Sequence, residues 1–302
     1  MTTSVAVLRA SRPNFLLLAP LCAGLGLALV WRQGVVPSLL DTLLVFAGAL
    51  LAHAAVNLLN EYEDFASGLD LITRRTPFSG GSGSLPQQPE AAPPVLMATA
   101  VTLTLVGLIG LWFLWQRGWP MLVLGGAGVV LVVTYTRWIT RSPLLCLLAP
   151  GIGFGPVMVL GSVIALGGRL DSTALVTALV ALLLVSELLL LNQLPDTEAD
   201  RQIGRRHLPI TLGRRRAAGL VSLLLMAAFM VIALGVGAAV LPALCLVALI
   251  PAPVALWRII ARLPAATIDD QRLMPVLAAN VAVILTCLAL LLVALLLATP
   301  AG

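Results

Sequence analysis

The chain has no lysine: all 18 of its basic residues are arginine. It is poor in charge of either sign, with 10% charged residues where a soluble globular protein carries about 25%. So little polar surface cannot cover 302 residues in water, which excludes a soluble fold. The arginines form no basic domain and no aromatic–basic stripe, so nucleic acid is excluded as a partner. The four cysteines (Cys22, Cys146, Cys245 and Cys287) lie singly in apolar stretches. That spacing makes neither a metal pair nor a disulfide framework, and they read as small core or lipid-facing residues. Arg9 and Arg12 precede an apolar run that has no small-residue cleavage site, so this run reads as a retained first helix.

What the chain does have is apolar sequence, at 60% of residues and a mean hydropathy of +1.06. Pro, Gly and Arg clusters divide it into nine blocks, near 14–31, 38–63, 92–116, 119–137, 144–167, 173–197, 216–238, 240–261 and 273–298. Each exceeds the ~17 residues that span a hydrocarbon core. The expectation is one all-α, polytopic membrane domain over 1–302, with about nine helices around a central cavity. Counted by alternating side, 15 arginines fall on one side and three, Arg32, Arg117 and Arg169, on the other. The rich side is cytoplasmic by the positive-inside rule, with the N-terminus inside and the C-terminus outside. The two longest connections, 64–91 and 198–215, lie on that side and are long enough to build a site.

The acids are unevenly placed. Seven of 13 fall in two segments: Glu61, Glu63, Asp64 and Asp70, then Asp196, Glu198 and Asp200. The segments end the second and sixth apolar blocks, in an arrangement that hints at a diverged internal duplication. At about 100° per residue, His53, Asn57, Asn60 and Asp64 share an arc of about 60°. Asn192, Asp196 and Asp200, at i, i+4 and i+8, span about 80° of a continuous helix. Carboxylates at a membrane boundary and a helix C-terminus gain from a cation. Oxygen-only donors without His or Cys partners indicate a hard cation, and Mg2+ suits a site completed by phosphate. Solvated acids balancing nearby arginines are the plainer alternative.

After the first cluster, Arg74 and Arg75 precede a Gly/Ser run that ends at Ser84. Charged forks and exposed backbone N–H groups of this kind suit a diphosphate, and a flexible linker is the alternative. Arg201, Arg205, Arg206 and His207 follow the second cluster, and Tyr135 and Arg137 face the same compartment. Glu187 lies about 13 Å deeper than Asp196. A mid-membrane acid marks function or a hydrogen bond to a neighbouring helix.

At these residues the sequence resembles the UbiA family of intramembrane prenyltransferases. The family's first motif, Asn-Asp-x-x-Asp followed by another Asp, is matched by Asn60-Glu61-Tyr62-Glu63-Asp64 and then Asp70. Its second is matched from Asn192 through Asp196 and Asp200. The loop from Arg74 to Gly83 and the run Gly153-Phe154-Gly155-Pro156 resemble the branch that prenylates 1,4-dihydroxy-2-naphthoate in menaquinone synthesis. Glu61 replaces the usual Asp, and Leu147 stands where that branch has Glu within a Tyr-Arg-Gly-Leu-Gly-Glu-like stretch. The second departure touches the acceptor more than the reaction class.

The resemblance implies Mg2+ held by Asn60, Asp64, Asp196 and Asp200, with Asp70 as a further partner. It implies that Asn57, Arg74, Arg75, Tyr135, Arg137, Asn192 and Arg205 bind substrate, an allylic polyprenyl diphosphate with an aromatic acceptor. The expected location is a prokaryotic inner membrane, with the site toward the cytoplasm. Other acceptors, such as 4-hydroxybenzoate, a tetrapyrrole or another lipid precursor, stay open. From a different class, an ion-coupled transporter would use the acid-bearing helices as an ion site. A CDP-alcohol phosphotransferase lacks support, because its Asp-Gly-x-x-Ala-Arg signature is absent.

Overall fold

The computed structural model describes residues 2–298, and its regular elements are all helical. The principal helices are α1 (Thr3–Ala10), α2 (Leu18–Arg32), α3 (Leu39–Ala66), α4 (Ala92–Arg117) and α5 (Trp119–Thr134). They continue with α6 (Pro143–Ala165), α7 (Ser172–Asn192) and the short α8 (Thr197–Gln202). The last three are α9 (Arg214–Gly237), the irregular span α10 (Ala243–Ile260) and α11 (Asp270–Leu297).

Local chemistry sets several of these ends. Ser38 caps α3 by accepting from the Asp41 N–H at 3.0 Å, and Asp171 caps α7 by accepting from Ala174 at 2.8 Å. Gly118, at a φ of 75°, makes the tight joint between α4 and α5 ahead of Pro120. The sixth block stops earlier than expected, at Asn192 rather than 197. Pro195 has no N–H to continue the ladder and disfavours helical geometry at Leu194.

Among the described residues, seven helices are long and apolar enough to cross a membrane. The N-terminal pair Thr3–Phe15 and Leu18–Arg32, bent by 51°, makes an eighth if it is one span. The remaining expected block, α5, has 16 residues and falls just short of the ~17 required. Leu108, Leu111, Trp115, Trp119 and Leu122 point outward from α4 and α5. Such surface is untenable in water and ordinary in lipid.

The core joins α2, α6, α7, α9 and α11. Glycines let α6 approach its neighbours closely. A Cβ at Gly26 would lie 2.9 Å from the Val159 carbonyl, and one at Gly155 would lie 2.4 Å from that of Ala178. The four cysteines are buried and free, the core alternative for these residues. On the other side, α3 packs on α4, and α5 bridges α3, α4 and α6 more loosely, with no fully buried residue of its own. The α1 helix folds back so that Ala6 and Ala10 meet Leu58, Leu85 and Val95. This return brings Arg12 to the end of α3.

Candidate active site

The last turns of α3 and the segment after α7 meet at one cavity of about 220 Å³. His53, Asn57, Asn60 and Asp64 all line it, so the expected arc on α3 is one face of the site. Asn192, Asp196 and Asp200 line it as well, by a different route from the one expected. The helix break at Asn192 means that they are not a stripe on one helix. Asp196 instead precedes α8, and Asp200 lies within it.

A single guanidinium joins the two acid clusters. Arg205 donates to Asp64 Oδ1 through one terminal nitrogen and to Asp200 Oδ1, at 2.8 Å, through the other. The second Asp200 oxygen pairs with His207 Nε2 at 2.8 Å. Asn60 Nδ2 donates to Asp64 Oδ2 at 3.0 Å, and the Gly80 N–H donates to Asp196 at 3.2 Å.

Positive charge is still short. Burial, helped by the charges of Glu61 and Asp64, pushes Asp70 up to about 7. Burial and Asp200 likewise push Asp196 up to about 7. Burial opposes the charge on Arg205, but Asp64 and Asp200 outweigh it and hold that guanidinium above its usual range. Three oxygens of cavity-lining residues, Asp70 Oδ2, Asn192 Oδ1 and Asp196 Oδ1, are buried without a hydrogen-bond partner. Unsatisfied buried acceptors are costly, and an oxygen-only set of this kind fits a hard cation. Among the described residues no three His, Cys, Asp or Glu side chains converge on one point at metal-binding range. Arg205 stands between Asp64 and Asp200 instead.

Glu61, the departure from the family motif, is fully buried and ties down the following loop. One oxygen accepts from the Ser82 N–H at 2.8 Å and from Arg12 at 3.4 Å, and the other accepts from the Ser82 hydroxyl. Gly80 and Gly81 have φ of 77° and 70°, in the left-handed region, and let the loop turn over Asp70 and Asp196.

Of the other expected substrate-binding residues, Asn57, Tyr135, Asn192 and Arg205 line the cavity. The Asn57 amide already donates to the Ser11 carbonyl at 2.9 Å. Arg74, Arg75 and Arg137 do not reach the cavity lining. Arg74 is exposed, Arg75 donates to the Ser82 carbonyl within its own loop, and Arg137 pairs with Glu63 at 3.3 Å. Arg12, read from sequence as a topology anchor, does reach it and donates to Asn60 Oδ1 at 3.2 Å. The sequence signal for that was Pro13, which breaks the helix and turns the chain at Arg12 (φ 51°). Glu187 is buried away from the cavity and accepts from Asn280 Nδ2 at 3.0 Å, the helix-to-helix hydrogen bond among its two expected roles.

A second cavity of about 500 Å³, almost wholly apolar, lies among α3, α4, α5 and α6. It shares Arg12, His53, Asn57, Asn60, Tyr135 and Phe154 with the first. A chamber that holds both acid clusters therefore adjoins a more apolar one within the helix bundle.

Known proteins resemble the chain in sequence and in fold. The chain is 29% identical over 242 residues to 1,4-dihydroxy-2-naphthoate octaprenyltransferase of Escherichia coli (strain K12), covering 76% of this chain and 75% of that one. It is 28% identical over 218 residues to the protein of the same name from Bacillus subtilis (strain 168), covering 70% and 67%. The fold matches the apo structure of a UbiA homolog from Aeropyrum pernix K1 with a TM-score of 0.67 at 19% identity, covering 89% of this chain and 95% of that one. A UbiA homolog from Archaeoglobus fulgidus bound to GPP and Mg2+ matches with a TM-score of 0.60 at 16% identity, covering 95% and 99%. The UbiA prenyltransferase family model matches residues 17–274. With its helices, its paired acid clusters and this match in agreement, the chain belongs to the UbiA prenyltransferase family, as an integral membrane enzyme.

Proposed function

We propose that the protein transfers a polyprenyl group from an allylic diphosphate to a hydroxylated aromatic ring, a quinone precursor of the 1,4-dihydroxy-2-naphthoate kind. The observation that carries this reading is the junction of the two cavities. A prenyl diphosphate has a highly charged head and a hydrocarbon tail, and the two chambers divide along the same line. The names of the two bacterial relatives support the acceptor.

Asn60, Asp64, Asp196 and Asp200 would hold Mg2+, with Asp70 and Asn192 offering buried oxygens beside them. When bound, Mg2+ supplies positive charge that stabilises the departing diphosphate. Arg205 and Arg12, which line the cavity, add guanidinium donors for the same oxygens. The loop over Asp70 and Asp196 screens the head from water, and the apolar cavity keeps the allylic cation dry until the ring attacks. The arginine asymmetry supports a site on the cytoplasmic side of a prokaryotic cytoplasmic (inner) membrane. Residues 1–302 act as one domain, with the acid segments 57–70 and 192–200 and their loops, 71–90 and 201–215, forming its polar end.

A transporter favours acids near the bilayer midplane, and Glu187, the mid-membrane acid, lines neither cavity.

The purified protein, given a labelled polyprenyl diphosphate and a panel of hydroxylated rings, is expected to form a prenylated product only with Mg2+. Asp64→Asn and Asp196→Asn should each cut turnover by about hundredfold or more. Absence of product with every ring, or full activity in either variant, refutes the reading.

A further inference from the structure

His53 stands at the junction of the two cavities and lines both. It is seven residues before Asn60 on α3, about 10 Å along the helix from that end of the site. The residue is 8% exposed, and its ring meets the Phe154 ring edge-on, with centroids 4.9 Å apart. Its Nδ1 is buried with no hydrogen-bond partner. A buried ring nitrogen left unsatisfied is costly, so a purpose for the ring is to be sought in what enters the cavity.

The chemistry of the two substrates separates the candidates. Beyond its diphosphate, a prenyl donor is hydrocarbon and has nothing to offer an imidazole. A hydroxylated ring does, since its O–H both donates and accepts. Among the polar groups that line both cavities, Asn57 and Asn60 already donate their amides, to Ser11 and to Asp64 and Thr136. Arg12 gives one terminal nitrogen to Asn60 and Glu61 and keeps an unpartnered Nε. It can only donate, whereas a neutral imidazole both donates and accepts. The Tyr135 hydroxyl lies 4.0 Å from Cys146 Sγ.

We propose that His53 is the acceptor-binding residue: its imidazole hydrogen-bonds a hydroxyl of the aromatic acceptor and orients that ring toward the allylic carbon. This rests on the transfer reading above. Phe154 supplies an apolar face beside the same position, so that one wall of the junction pairs a hydrogen-bonding ring with a stacking ring.

The test measures prenyl transfer to 1,4-dihydroxy-2-naphthoate and 4-hydroxybenzoate, and to the methyl ethers of their ring hydroxyls, by wild type, His53→Phe and His53→Gln. His53→Phe is expected to raise the KM for the acceptor at least tenfold and leave the KM for the donor within twofold. His53→Gln, which can still hydrogen-bond, should recover part of the loss. Methylating the bound hydroxyl should penalise wild type by a similar factor and His53→Phe by much less. Equal damage to donor and acceptor kinetics, or a methyl-ether penalty of the same size in His53→Phe, overturns the role of His53 alone. A wild-type protein that prenylates neither ring refutes the transfer reading, and the assignment of His53 falls with it.

Discussion

Arg205 and Asp64, 141 residues apart, are bound to each other, and the same guanidinium holds Asp200. One arginine thus neutralises part of both acid clusters and occupies the space between them. A divalent cation at those carboxylates, as proposed above, would compete for the same charge, which would make Arg205 and metal alternatives at Asp64 and Asp200.

Arg205→Gln should therefore destabilise the metal-free protein by about 3–5 kcal/mol, the usual cost of removing one partner from a buried ionic group. Saturating Mg2+ should restore much of that loss. Thermal unfolding with and without Mg2+ measures both, and the Mg2+-induced rise in Tm is expected to be larger in the variant than in wild type.

Glu61 anchors the loop through Ser82. Glu61→Ala leaves the Ser82 N–H without its partner, at a cost of about 1–3 kcal/mol. Release of the loop should speed tryptic cleavage after Arg75. Gly81→Ala should act in the same direction, because its φ is 70° and the new Cβ would lie 2.9 Å from Asp70 Oδ1.

Asn280→Ala removes the donor to Glu187 and should cost about 1–3 kcal/mol in unfolding experiments. Neither residue lines a cavity, so turnover per folded molecule should stay unchanged. Glu187→Gln keeps an acceptor for Asn280 and should be milder.

Gly107 and Gly110 on α4, and Gly125 and Gly126 on α5, line the apolar cavity, and a Cβ on any of them would meet no atom within 4 Å. Each costs about 1 kcal/mol in a helix relative to alanine, and here no close packing explains it. Room for the hydrocarbon tail of the proposed donor would. Gly125→Leu should fold normally and lower the ratio of kcat/KM for a long polyprenyl diphosphate to that for geranyl diphosphate by about tenfold or more.

Much of the fold was legible because apolar blocks of spanning length are a strong signal. The places where reading and structure part are local. Pro195 ends α7 at Asn192, so that Asp196 and Asp200 reach the site from a turn and a short helix. Pro13 and the turn at Arg12 send α1 back along α3 and turn an apparent topology anchor into a partner of Asn60. Arg74 and Arg137 carry the charge the site calls for, but the chain path leaves both outside it.

Composition alone determined that the chain lives in a membrane, because 10% charge cannot cover 302 residues in water. Residue identity and spacing determined which few acids could bind a cation, because little else in the chain is polar. Only the tertiary structure decided that Arg205 sits between the two clusters, that Glu61 secures a loop, and that His53 stands where the two chambers meet. Those are contacts between segments far apart in sequence, and they depend on where helices break and how closely their backbones approach.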